Sequence, residues 1–185
     1  VSYQTGWLKC HYPSEFQAAN LSCNLSKMDE IKKIMADCKR HKIRVLNPDV
    51  NESDANFTVN KKGDIHFGMG GMKGFGANIV DAIIKEREAN GLFKDIYDFC
   101  ERMSGTVNRK AMESLVYAGA FDSFGIARSS YFQPGKSGAQ FIDELMDYAA
   151  ITKKNAEDDA ASLFGEVEEL KAEKPEPPVV TGEID

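Results

Sequence analysis

The sequence predicts a mainly α fold, a helical bundle of short helices with one small β-hairpin. Three observations carry this expectation. Apolar side chains recur three and four residues apart over most of the chain. Asn, Ser, Pro and Gly stand where the helices should start and stop. One stretch, Ala55–Met69, alternates apolar and polar residues on both sides of a Lys-Gly turn, the pattern of a hairpin.

The elements follow in order. Trp7, Leu8 and Tyr12 lie at helical spacing until Pro13, which restarts a helix near its own first turn, where a missing N–H costs nothing. Trp7, Tyr12 and Phe16 read as core. Ser26 is the expected N-cap of the next helix, whose apolar face is Met28, Ile31, Ile34, Met35 and Cys38. Residues 43–51 read as a short strand ended by an Asn-Pro turn. Beyond the hairpin, Ile79, Ala82, Ile83 and Arg87 mark a helix that Gly91 closes. Helices are expected over 93–103, after the N-cap Asn108 and up to the C-cap Gly119, from Ala127, and finally over 137–157. The acidic, proline-containing stretch from Glu166 onward reads as a flexible linker.

Composition removes several function classes. No apolar run is long enough to span a bilayer, and no secretory leader pattern opens the chain. The start, without Met and already helical in pattern, reads as a piece of a larger protein. Cys10, Cys23, Cys38 and Cys100 form no CxxC pair and hold no zinc spacing with His11, His41 or His66, so they read as reduced, buried thiols of a cytoplasmic protein. No metal site, cofactor or two-metal carboxylate pair is expected. The net charge of −6 is unevenly placed: residues 1–150 hold 19 Lys+Arg and 19 Asp+Glu, and residues 151–185 hold 4 and 10. The body can therefore carry a basic face despite the overall acidity.

The stretch Gly68–Glu88 is glycine-dense and then turns helical, which raises phosphate binding. A dinucleotide loop fails because Lys73 occupies the third glycine's place, and a Walker loop fails because Lys73-Gly74 reverses the order. The sequence "PGKS" at Pro134–Ser137 lacks the upstream glycine. A helix-hairpin-helix fits instead. In Gly74-Phe75-Gly76 the glycines free the backbone, Phe75 pins the turn, and the helix start beyond it offers unpaired N–H groups and a positive dipole end to a DNA phosphate. Lys73 and Asn78 stand beside it. A second, looser hairpin is read at Gly119-Ala120-Phe121, with Arg109, Lys110 and Arg128 as flanking phosphate contacts; the two together make the motifs tandem. The basic run Lys32–Lys42 reads as a solvated helix face. A hairpin module of a repair or recombination protein, or a purely structural domain whose hairpins only pack, are the alternatives.

Four stretches in order, Tyr3–Ser22, Asn47–Asn51, Phe67–Glu88 and Asn108–Gly125, resemble the bacterial replicative DNA polymerase III alpha subunit, the C-family polymerases. The resemblance covers nearly all of residues 1–165. It implies that residues 1–60 are the end of the fingers, 61–150 the tandem helix-hairpin-helix region on duplex DNA, 151–165 a segment binding the sliding clamp (beta subunit), and 166–185 an acidic linker. It implies a parent nucleotidyltransferase with other replicase subunits as partners, whose catalytic aspartates and incoming-nucleotide site lie outside this chain; the chain itself is expected to be inactive. In "AASLFG" (Ala160–Gly165), Ser162, Leu163 and Phe164 match a clamp-binding peptide of the form Gln-x-x-Leu-Phe, with Ala160 in place of Gln.

Overall fold

The computed structural model describes residues 2–72, 76–161 and 173–178, with backbone alone for 158–161. By its internal contacts the chain divides into two units, Val1–Lys85 and Glu86–Asp185.

In the first unit, α1 (Ser2–His11), α2 (Pro13–Cys23) and α3 (Met28–Arg40) precede three two-residue strands, β1 (Val45–Leu46), β2 (Thr58–Val59) and β3 (Ile65–His66). Pro13 opens α2, as expected. Ser26 does not cap α3. A turn from Asn24 to Lys27 (N···O 2.8 Å) carries the chain one residue further, and the Lys27 carbonyl accepts the first helical bonds from Glu30 and Ile31. The hairpin forms antiparallel between β2 and β3. Its turn is held by the Asn60 side chain, which accepts from the Lys62 and Asp64 amides at 2.9 and 3.0 Å, and Gly63 takes the left-handed conformation (φ +83°) that glycine alone adopts freely. The strand read at 43–51 is β1, which joins the other edge of β3 in parallel.

This sheet and α2–α3 enclose a core of Ala18, Leu21, Ile31, Cys38, Phe57 and Ile65, flanked by Ile34, Met35, Val45, Val59 and Phe67. The apolar stripe on α3 therefore lands where its periodicity points for Ile31, Ile34, Met35 and Cys38, while Met28 at the helix start is exposed. The one on α1 does not. No residue of α1 is buried; Trp7 and Tyr12 are about half exposed, Phe16 is half-buried, and Trp7 stacks on His11 at 4.3 Å instead of entering the core. Two of the four thiols, Cys10 and Cys23, are likewise exposed, while Cys38 and Cys100 are buried.

Helix α4 (Ala77–Asn90) crosses the boundary. The second unit holds α5 (Ile96–Arg102), α6 (Arg109–Ala118) and α7 (Phe141–Ala161), with 3-10 turns at Asp122–Phe124 and Arg128–Phe132 between α6 and α7. Caps set the boundaries: Asp95 accepts from Asp98 N at 2.8 Å, and Asn108 from Ala111 N at 2.9 Å. Arg102 locks the α4–α5 link. Its guanidinium pairs with Glu86 at 2.9 Å, donates to the carbonyls of Glu86 and Gly91 at 3.0 and 2.9 Å, and lies 4.4 Å from the Phe93 ring centre. A cation at those carbonyls satisfies the open, negative end of α4.

The interior is a chain of aromatic contacts. Phe93 meets Phe99 at 4.9 Å and Phe99 meets Phe121 at 5.0 Å, both edge-on, and Tyr131 links Phe121 to Phe141. Such pairs add about 0.5–1.5 kcal/mol each beyond area burial, so this cluster fixes where α5, α6 and α7 meet.

Candidate nucleic-acid interface

The glycine-dense stretch splits into two parts with different work. Gly68 and Gly70 are packing residues: a Cβ on Gly68 would lie 2.5 Å from the Asn56 carbonyl carbon, and one on Gly70 2.8 Å from Ala55 O. The Met69 and Gly70 amides bond to the carbonyls of Asp54 and Ala55 at 2.8 and 2.9 Å, so the backbones run side by side where no side chain fits. Gly76 is the opposite case. Among the described residues nothing lies within 4 Å of a Cβ built there, and Gly76, Ala77 and Asn78 are all exposed.

Helix α4 starts at once from Gly76, whose carbonyl accepts from Ile79 and Val80 at 3.0 and 3.3 Å. The Ala77 and Asn78 amides belong to the first turn, where no intrahelical partner exists, at the positive end of the dipole, and both residues are exposed. Val80 and Ile83 hold the helix by its buried face. Lys73, Gly74 and Phe75 lie outside the described residues.

A second arrangement of the same kind lies between α5 and α6, fifteen residues before the turn chosen from sequence (Ser104 against Gly119). Met103 O accepts from Thr106 and Val107 at 3.0 and 3.1 Å, Gly105 takes φ +82°, and Val107 is buried as the pin of the turn. Asn108 then caps α6. Aligning the two caps, Gly76 and Asn108, sets Val80 against Met112 and Ile83 against Leu115, all buried. The signal was present in "SGTVN": a glycine, a β-branched residue and a capping Asn in succession. Lys110 is exposed on the first turn of α6, and Lys153 reaches Ser104 O at 3.1 Å on the other side of the hairpin.

Gly119 sits in a different setting. It ends α6 in the left-handed conformation (φ +84°), and the Ala120 amide bonds back to Leu115 O at 2.9 Å. No α-helix follows, only the 3-10 turn at 122–124, because Ala120 and Phe121 are drawn into the aromatic core. The space over Gly119 is filled by Arg128 and Asp122: a Cβ there would collide with the Arg128 guanidinium. Arg128 is ion-paired with Asp122, and this pairing raises its pKa above the ordinary arginine value. Arg109 is similarly engaged. It pairs with Asp143 at 2.6 Å and with Glu113, and donates to Gln140 at 2.6 Å, tying α6 to the start of α7. Among the predicted contacts of this unit, Lys110 presents a charge with no ion-pair partner among the described residues.

Ser162, Leu163 and Phe164 lie outside the described residues. Among the described residues no three His, Cys, Asp or Glu side chains gather as a metal site, and no helix is long and apolar enough to cross a membrane. Burial pushes the Cys100 thiol up to about 12, which makes it an inert core residue.

A helix that starts from an exposed glycine and an α5–α6 turn pinned by the buried Val107 fit a helix-hairpin-helix protein, and residues 42–131 match the helix-hairpin-helix motif family. The relatives are more specific. The chain is 37% identical to the DNA polymerase III subunit alpha of Pasteurella multocida, over 89% of its own length and 14% of that protein. It is 34% identical to that of Escherichia coli K12 (95% and 14%), and 44% identical to that of Neisseria meningitidis serogroup A (66% and 11%). The chain belongs to the DNA polymerase III alpha subunit family, and it spans about one seventh of the length of the relatives it matches.

Proposed function

We propose that this chain is a non-catalytic part of a replicative DNA polymerase alpha subunit that binds the backbone of duplex DNA without reading its sequence. The observation that carries this is the exposed start of α4 at Gly76, where no described residue lies within 4 Å of a Cβ built on that glycine. Amides and a dipole end recognise a phosphate by charge and geometry alone, and phosphate contacts carry no base information. The start of α6, with Lys110 beside it, supplies a second contact of the same chemistry. Lys73, Gly74 and Phe75 complete the first, and Asn78 flanks it.

The same reading assigns Ser162, Leu163 and Phe164 to the sliding clamp, where Leu163 and Phe164 fill an apolar pocket. Chemistry at the nucleotide and contacts with other replicase subunits belong to the longer, cytoplasmic protein. Support comes from the family and the placement of "AASLFG" after the hairpins. The test is a fluorescence-anisotropy titration with duplex DNA at two salt concentrations. Affinity should fall steeply with salt and weaken several-fold in Lys73→Glu; salt-independent or absent binding contradicts the proposal. For the clamp, Phe164→Ala should abolish capture by purified sliding clamp while leaving duplex binding intact.

A further inference from the structure

The segment Glu173–Pro178, expected from sequence to be part of a flexible linker, lies against the second unit through several separate contacts. The Tyr97 hydroxyl donates to Pro175 O. Lys174 stands 4.1 Å from the centre of the Tyr97 ring and 3.7 Å from the Asp95 carboxylate. Glu176 pairs with Lys136 at 2.7 Å. Pro175 and Pro178 are half-buried, three residues apart, and their neighbours are exposed, which is the repeat of a polyproline II strand. The receiving surface is aromatic: Tyr97 and Tyr148 meet edge-on at 6.1 Å, and Tyr148 is fixed by its bond to Glu101 at 2.6 Å. An aromatic pair with a hydroxyl aimed at a backbone carbonyl is the chemistry that receives proline-rich strands. Burial, with Asp95 and Glu176 nearby, raises the Tyr97 pKa.

Helix α7 separates this groove from the hairpin. Met146, Ala149 and Ala150 line the cavity of about 260 Å³ behind Met103–Asn108, and Lys153 reaches Ser104 from the same side. Glu144, Asp147, Tyr148 and Ile151 line a pocket whose other wall includes Lys174 and Pro175. At 100° per residue these two sets lie roughly 160° apart around the helix. Glu173, Lys174 and Pro175 thus lie on the side of α7 away from the turn that starts α6.

We infer that the Tyr97–Tyr148 groove is a docking site for the chain's own acidic, proline-containing segment, and that docking keeps the tail's carboxylates from competing with DNA phosphate for the hairpin. The inference rests on the duplex-binding reading above. Residues 151–185 carry ten Asp+Glu against four Lys+Arg, and a released tail of that charge, tethered to the same unit, meets the hairpin at high effective concentration. Docking in cis removes that competitor without removing the segment.

The test uses the whole chain and Lys174→Glu, which reverses both contacts of that side chain and touches no core residue. Release is read from Tyr97, whose phenol should titrate at lower pH and whose ring resonances should shift in NMR. Duplex affinity should fall about threefold to tenfold at low salt and the loss should vanish at high salt, because the competition is ionic. Adding Glu173→Gln and Glu176→Gln, which return the net charge to its original value, should restore affinity while Tyr97 stays released. An unchanged Tyr97 titration overturns the docking site. Release with unchanged DNA affinity, or no recovery in the triple variant, overturns the protective role. An unsubstituted chain that binds no duplex fails the parent reading and this role with it, and the Tyr97 titration still reports on docking separately.

Discussion

Gly76 and Gly119 stand in similar sequence surroundings, each in a short turn beside a helix and an aromatic residue, and the fold puts them to opposite uses. Gly76 begins α4, and no described residue lies within 4 Å of a Cβ built on it. Gly119 ends α6, takes φ +84°, and is covered by the Arg128–Asp122 pair. The difference is one of polarity as much as of room. A helix start presents N–H groups and the positive end of the dipole, and a helix end presents carbonyls and the negative end. Arg128 beside the Gly119 turn is the answer to that second condition, since it also reaches Tyr117 O at 3.4 Å. A glycine marks a permissive backbone; which end of the helix it lies on decides whether an anion or a cation is welcome there.

Substitution separates the two positions most sharply. Gly119→Ala places a methyl group in a left-handed backbone and against the Arg128 guanidinium, and should cost on the order of 3 kcal/mol in urea unfolding. Gly76→Ala should change stability by less than about 0.5 kcal/mol while weakening duplex binding several-fold, because the methyl group occupies the approach to the amides. Equal stability effects at the two glycines would break the comparison. Asn108→Ala comes next, at about 1 kcal/mol from loss of the cap on α6, with Asn108→Asp largely preserving it. The neighbouring cations give the smallest and finest contrast. Arg109→Gln should lower the melting temperature by untying α6 from Asp143. Lys110→Gln should leave the melting temperature unchanged and lower the salt slope of duplex binding by about one.

Much of this architecture is legible in the residues. Pro13, Gly63, Gly91 and Asn108 each act at the position their backbone chemistry predicts, because caps and turns are local interactions. What depends on distant partners is not legible. The parallel pairing of β1 with β3, the close approach of Gly68 to Asn56, and the exposure of Trp7 are set by residues far along the chain or by faces a periodic pattern does not choose. The 3-10 turn at Arg128–Phe132, in place of an α-helix, follows from burying Tyr131 among Phe121 and Phe141. For the candidate site, the start of α4 was legible and the α5–α6 hairpin was missed, since "SGTVN" has a single glycine and Gly119 offered a more conspicuous one.

The central claim is that helix starts, and not bases or helix ends, meet the DNA. Its most direct test is the salt dependence of binding to two duplexes of equal length and unrelated sequence, for the chain and for Lys110→Glu. Equal affinities for both duplexes, a linear fall of log K with log salt, and a slope shallower by about one in the variant are expected. A marked preference for one duplex, or a slope untouched by Lys110→Glu, would contradict it.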